Sequence, residues 1–314
     1  MIVARCPLRI SLSGGGTDLD PYLQKYNYGS VISFPSNLFC YITLFQDKYG
    51  YNKQKKFIIN YTKREEVDRI EDIKNDVARE ALSYFSTRHI TLNFHSDVFS
   101  AGSGLASSSA YLIACIKAIS THKGTELSEA VLCKSALEIE RIFNPLTGAQ
   151  DIYGCAMGGF KRLNFHHDDS VTYEPLDIDG DFLKKFNIYL RPTGVRRRST
   201  NILRTLDTDK TQSLIPLVES MHHAINAEDT KGFINIINEG WKLKKGLSPL
   251  ILEDSTLQYM DNGLHNDASV LAHKLCGAGN GGFFLIFKNA SDPHSHPEDI
   301  KIAPSDTGVE IVKI

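Results

Sequence analysis

Glycine gathered into three distant runs constrains this chain more than any other feature of its sequence. The runs are Ser11-Leu-Ser-Gly-Gly-Gly-Thr-Asp18, Ala101-Gly-Ser-Gly-Leu-Ala-Ser-Ser-Ser-Ala110 and Cys276-Gly-Ala-Gly-Asn-Gly-Gly282. Lacking a Cβ, glycine turns tightly and admits a second backbone or a ligand at close range. One such run is commonplace. Three of them suggest a site that several backbone segments approach together.

The middle run has the most telling surroundings. Ile90, Leu92 and Phe94 alternate with Thr91, Asn93 and His95, which predicts a strand before it. Tyr111–Ile119 is nearly all apolar and predicts a helix after it, with Ser107 to Ser109 available as N-terminal caps. A glycine loop opening a helix offers unpaired N–H groups and the positive end of a dipole, hence a phosphate seat. Taken alone, the run also reads as a turn capped by serines.

Other classes are excluded by what the runs lack. No Gly-Lys-Ser/Thr occurs, so none is a Walker A loop. Gly277-Ala-Gly279 leads into a strand-like stretch, which argues against a dinucleotide fingerprint. A formal net charge of −2 over 314 residues advertises no nucleic-acid partner. No apolar run of 18 residues predicts a membrane span, and the N-terminal residues lack the order of a signal peptide. Six scattered cysteines with no Cys-x-x-Cys pair suit reduced core thiols, so the expected compartment is the cytoplasm. Two acids flank the middle region. Asp151, in Gly148-Ala-Gln-Asp-Ile-Tyr-Gly154, reads as a loop aspartate, either a proton acceptor or a turn residue. Glu140 alone reads as a solvent-facing helix charge.

The expected organisation is α+β, because strands and helices mix without regular βαβ alternation. Strands are expected at Cys40–Phe45, Phe57–Tyr61, Phe186–Arg191, Ser269–Cys276 and Phe283–Phe287, with the polar Tyr49–Lys56 as a hairpin tip. Leu127 and Leu132 fit a hydrophobic staple opening a helix over 129–143, ended by Pro145 and Gly148. Further helices are expected around 210–227 and 230–245. The turn His166-His167-Asp168-Asp169 suggests a boundary between domains 1–170 and 171–314.

Taken in order, Pro7-Leu-Arg9 with Gly15-Gly-Thr-Asp18, Gly104-Leu-Ala-Ser-Ser-Ser-Ala110 and Lys274-Leu-Cys-Gly-Ala-Gly-Asn-Gly-Gly282 resemble the three motifs of the GHMP sugar and metabolite kinase superfamily. The likeness runs nearly the whole length. Within that superfamily the chain most resembles heptose 7-phosphate kinases, through Ala4–Asp18, Glu138-Ile-Glu-Arg141, Gln150-Asp-Ile-Tyr153, Thr193-Gly-Val195 and Gly240-Trp-Lys-Leu-Lys-Lys245. The resemblance implies two lobes: an N-terminal mixed-sheet ATP-binding lobe and a C-terminal ferredoxin-like α/β plait. It implies ATP and Mg2+ as cofactors, and transfer of the γ-phosphate to the C1 hydroxyl of a heptose 7-phosphate for surface-glycan synthesis. The partners would be small molecules, with monomer and homodimer both open.

The resemblance also assigns residues. Asp151 falls on the catalytic aspartate and Arg9 on a catalytic cation. Gly102, Ser103, Gly104, Leu105, Ala106, Ser107, Ser108 and Ser109 form the ATP-phosphate loop, with Ser108 and Glu140 as magnesium contacts. Gly15, Gly16, Thr17 and Asp18, with Gly277, Ala278 and Gly279, face the sugar. Arg196, in Arg196-Arg-Arg-Ser199, is a candidate for the substrate's own phosphate, against a reading as a solvated basic loop. The chain departs from the pattern in four places, one being Asn144-Pro-Leu-Thr147, which is not the usual lead-in to the catalytic loop. Ala106 stands where glycine is usual, a methyl tolerable if φ stays negative. Asn280 interrupts the third run. The stretch after Phe287 lacks the usual helix signal. An unphosphorylated sugar as acceptor, or a non-catalytic sensor of sugar and ATP, are the rival readings.

Overall fold

The computed structural model describes all residues except 48–55, 100–101, 179, 196–201, 293–295 and 314. Two sheets organise the chain. The first holds eight strands in the order β12-β1-β2-β5-β3-β4, where β4 is Arg64–Val67, with β6 and then β7 branching from β2. Its spine is β1 (Ile2–Gly14) paired antiparallel with β2 (Tyr28–Phe45). The register of that pair shifts between Pro7 and Arg9, where proline offers no N–H to a ladder. The early part of β2 pairs with β6 (Lys161–His166), and the later part with β5 (Thr91–Ser96). Since β5 also pairs in parallel with β3 (Phe57–Asn60), the sheet is mixed.

This topology corrects the hairpin expected at Tyr49–Lys56. β5 lies between β2 and β3, so the intervening segment joins strands that are not neighbours. Most of that segment lies outside the described residues. The His166–Asp169 turn joins β6 to β7 (Val171–Pro175) within the first sheet, so passage to the second sheet comes after Pro175.

The second sheet is antiparallel, ordered β11-β8-β10-β9. Its strands are β8 (Phe186–Pro192), β9 (Val270–Leu275), β10 (Phe283–Asn289) and β11 (Ile300–Ile302). The unbroken apolar run of β10 has a direct cause. Phe283, Leu285 and Phe287 enter one core, while Phe284 and Ile286 enter another with Trp241 and Leu257. A strand buried on both faces has no polar side to show. Trp241, in the helix Thr230–Lys245, is core packing as its apolar neighbours imply, and its Nε1 donates to Asp261 at 2.6 Å. No helix follows β10 among the described residues. The chain returns instead to the first sheet as β12 (Glu310–Ile311), paired with β1.

Three helices carry the first sheet's contribution to the site. α3 (Ser107–His122) is buried on nearly all sides, from Leu112 through Ile116, which accounts for its apolar run. α4 (Glu129–Phe143) begins as expected, with Ser128 accepting from the Val131 amide. Asp151 sits in the first turn of a short helix, α5 (Gln150–Ala156), where the sequence predicts a loop. Its composition is poor in helix formers, with Gly154 and Cys155 in seven residues, so packing decides the conformation.

The serines expected to cap α3 lie inside its first turn. The cap position is Ala106, with φ 62° and no side-chain hydrogen bond. The φ is positive, so the condition under which its methyl is harmless fails. An L-residue in this region pays roughly 1–2 kcal/mol that glycine does not. Part of that is offset by glycine's larger entropy loss on folding. Ala106→Gly is therefore expected to raise stability by about 0.5 kcal/mol and leave the fold unchanged. A denaturant melt in which the variant's midpoint drops would refute this.

Candidate functional site

A cavity of about 930 Å³ opens between the two sheets. Its walls include all three glycine runs: Gly14 to Gly16, Gly102 to Gly104, and Gly277 with Ala278. The runs meet through backbone. A Cβ on Gly282, at φ +93°, would lie 2.2 Å from the Ser103 carbonyl oxygen, so only glycine permits the third run to lie against the second. Ser103 Oγ in turn accepts from the Leu105 amide at 3.2 Å and contacts Ser107 Oγ at 2.8 Å, which holds the loop's shape.

At the centre Arg9 and Asp151 form an ion pair. Nε and Nη2 of Arg9 donate to Asp151 Oδ1 at 2.9 and 2.5 Å, and Nη1 donates to the Gly104 carbonyl at 3.3 Å. The Arg9 side chain is 5% exposed, that of Asp151 31%. Burial works against the guanidinium's charge, but the Asp151 charge and hydrogen bond outweigh it and raise the Arg9 pKa. One β1 side chain thereby fixes both the carboxylate of α5 and the loop before α3.

Asp18 is the second buried acid. Its carboxylate accepts from the Gln150 amide at 3.1 Å and from Gln150 Nε2 at 2.9 Å. A Cβ on Gly148 would stand 1.9 Å from Asp18 Oδ2, which explains glycine there. Burial first, then the charge of Asp151, push the Asp18 carboxyl up to about 6.

Glu140 corrects its reading as a surface charge: it is 1% exposed and lines the cavity. Both its oxygens accept from Ser109 Oγ, at 3.0 and 2.7 Å. Burial pushes it up to about 8, opposed by the Ser109 hydrogen bond. The signal was available in the spacing, since Leu132, Ala136 and Glu140 recur every four residues and share the helix's buried stripe. No cation partners this carboxylate among the described residues. A buried carboxylate held only by a hydroxyl suits a hard cation, and Ser108 presents an exposed hydroxyl on the same cavity wall.

The cavity gathers Arg9, Gly15, Gly16, Asp18, Gly102 to Gly104, Ala106 to Ser109, Glu140, Asp151, Gly277 and Ala278. Thr17, Leu105 and Gly279 do not line it. The Thr17 hydroxyl donates to the Ser30 carbonyl at 3.0 Å, the Leu105 carbonyl accepts from the Arg9 amide, and Gly279 faces Ile251. Arg196, with Arg197 and Arg198, lies outside the described residues. Sequence reasoning missed Lys244 and Lys274, which also line the cavity. Lys244 Nζ donates to the carbonyls of Leu275, at 3.0 Å, and Gly277.

Residues 72–159 match the family model described as the GHMP kinases N terminal domain. The chain is 28% identical over 312 residues to D-glycero-alpha-D-manno-heptose 7-phosphate kinase of Campylobacter jejuni, covering 91% of this chain and 89% of that protein. Its fold matches a D-glycero-D-manno-heptose 1-phosphate kinase from Bacteriodes thetaiotaomicron with a TM-score of 0.78, at 21% identity over 100% of this chain and 99% of that one. It also matches Streptococcus pneumoniae phosphomevalonate kinase in complex with phosphomevalonate and AMPPNP, with a TM-score of 0.71 and 12% identity over 92% of each chain.

The raised Glu140 carboxyl makes a prediction without any assay of activity. Its folded pKa, about 8, lies above its ordinary value of 4.5, so the folded protein holds the proton more tightly than the unfolded chain. Stability is therefore lost as pH rises from about 4.5 to 8. Glu140→Gln should melt several degrees above the wild type at pH 8, with the gap closing at pH 5. Magnesium with ATP should raise the melting temperature of the wild type and not of the variant. A variant that melts lower at pH 8 without ligand would contradict the assignment.

Proposed function

From the GHMP kinase N-terminal domain at residues 72–159, we propose that this protein transfers the γ-phosphate of ATP to the C1 hydroxyl of a heptose 7-phosphate, giving a 1,7-bisphosphate for surface-glycan synthesis. The observation that carries this reading is the Arg9–Asp151 pair standing in one cavity with three glycine runs and a buried Glu140 that no cation meets among the described residues. The heptose specificity leans on the Campylobacter relative. The names of the two heptose kinase matches differ over which phosphate the substrate already carries, so the product decides that point.

Each residue has a duty. Asp151 accepts the proton of the attacking hydroxyl as its oxygen bonds to the γ-phosphorus and the bond to the β-phosphate oxygen breaks, releasing ADP. Arg9 aims that carboxylate and adds positive charge beside the reacting groups. Gly102 to Ser109 seat the phosphates at the start of α3. Tyr61, Val77, Phe94, Phe99 and Tyr111 line the same cavity and give the adenine a flat, apolar bed. Glu140 and Ser108 hold magnesium, which when bound neutralises phosphate charge. Asp18 with Gly15 and Gly16 orients the sugar, and the backbone at Gly277 and Ala278 closes over it. Thr17 and Gly279 shape these segments from behind. Arg196 is assigned to the substrate's 7-phosphate. The reading places the protein in the cytoplasm, in two domains divided near residue 170.

A screen of ATP consumption across sugars and sugar phosphates, followed by phosphorus NMR, tests the proposal. The expected product bears a new anomeric phosphate beside the existing one, and a phosphate only at a non-anomeric hydroxyl would defeat it. In the same assay Asp151→Asn should lower kcat by about 10²–10⁴-fold while the KM for ATP changes little. Equal loss of turnover and of ATP affinity would sink the role given to Asp151.

A further inference from the structure

The cavity holds a second buried ionisable group that no opposite charge meets among the described residues, a base where Glu140 is an acid. Lys274 is 7% exposed and lines the cavity beside Gly277. It lies in β9 on the face shared with Ala272 and Cys276, which turn toward the larger core. His273 and Leu275 turn the other way, His273 toward Asp261 at 2.9 Å. Lys274 therefore reaches across to β1, and its Nζ donates to the Leu12 carbonyl at 3.0 Å. No carboxylate meets this ammonium among the described residues; the Cys276 thiol and another cation, Arg9, act on it in opposite directions. Burial, with Arg9 adding to it, lowers the amine to about 8.

An ammonium buried without an anion is costly, and such a group persists where a ligand supplies the missing charge. Arg9 is already compensated, because Asp151 takes two of its donors and Gly104 a third. Lys274 has one carbonyl acceptor and three N–H groups. We propose that Lys274 is a further catalytic residue, donating to an oxygen of the phosphoryl group in transit between ATP and the acceptor. Negative charge arriving beside Arg9 meets a buried donor that the Leu12 carbonyl holds by one N–H, with two more to give, the preorganised arrangement in which such a contact is strongest. A phosphate carried by the sugar has the same chemistry and is the competing source of the anion.

This inference rests on the kinase reading, and Lys274→Met separates the two. The variant keeps the length of the side chain and removes its charge. If the wild type phosphorylates no sugar, the kinase reading falls and this inference with it. Given turnover by the wild type, Lys274→Met should lower kcat by about 10²–10³-fold with phosphorylated and unphosphorylated sugars alike. The KM for ATP should change less than about threefold, since ATP binding alone is not what this donor improves. In calorimetry the variant should bind ADP as the wild type does, yet bind ADP with aluminium fluoride and sugar about 100-fold more weakly. Turnover within threefold of the wild type would overturn the proposal, as would a loss confined to phosphorylated sugars. So would equal weakening of ADP and of its fluoroaluminate complex, the mark of a merely structural pin. Should the methionine variant not fold, Lys274→Gln supplies the same comparison.

Discussion

Arg9 holds the site together because three of its donors are spent on two segments that the chain order keeps far apart. The carboxylate it grips is 142 residues away, and the carbonyl it touches at Gly104 is 95 residues away. Without that guanidinium, α5 still packs on β1 through Ile152 and Cys155, but the Asp151 carboxylate loses its fixed direction and the glycine loop loses its side-chain contact at Gly104. The pair is buried on the arginine side and open on the aspartate side, which is what a proton acceptor with a rigid mount requires. Gly154 supports the same geometry from behind, since a Cβ there would crowd the Arg9 side chain at 3.3 Å.

The electrostatics of the cavity follow a single pattern. Acid and base are buried apart, and each lacks the partner that would make its burial inexpensive. Glu140 has a hydroxyl where a cation would fit, and Lys274 a carbonyl where an anion would fit. On the proposed function, a metal nucleotide would bring a cation to the one and an anion to the other. Burying both groups costs stability in return for polar atoms already held away from water on the cavity wall.

Much of this was legible in the sequence, for identifiable reasons. Periodicity is a local property, so β8, β9 and β10 of the second sheet and the helices at 129–143 and 230–245 stand where the apolar spacing puts them. Glycine runs are equally local, and all three do converge. What failed was long-range. The hairpin assumed after β2 dissolves because β5, about fifty residues later, inserts itself between the two strands. Asp151 seemed to sit in a loop because the helix it opens is held by packing and not by propensity. The duties of Thr17 and Gly279 could not be separated from those of their neighbours, because which way a loop residue points is set by partners such as Ser30 and Ile251 from elsewhere in the chain. Lys274 was hidden by its context: a lysine in an apolar strand usually snorkels outward, and only the facing β1 shows that this one turns in.

The strand that seats Arg9 has its outer edge covered by Glu310 and Ile311, with Arg5 and Glu310 joined across 305 positions of sequence. A growing chain therefore displays the hydrogen-bonding rim of β1 at Ala4 and Arg5 bare until residues about 305 positions later have been made. During that interval the rim is open to any extended peptide that comes by. Until then the strand that carries Arg9 keeps part of one edge unpaired while its other edge is already matched by β2.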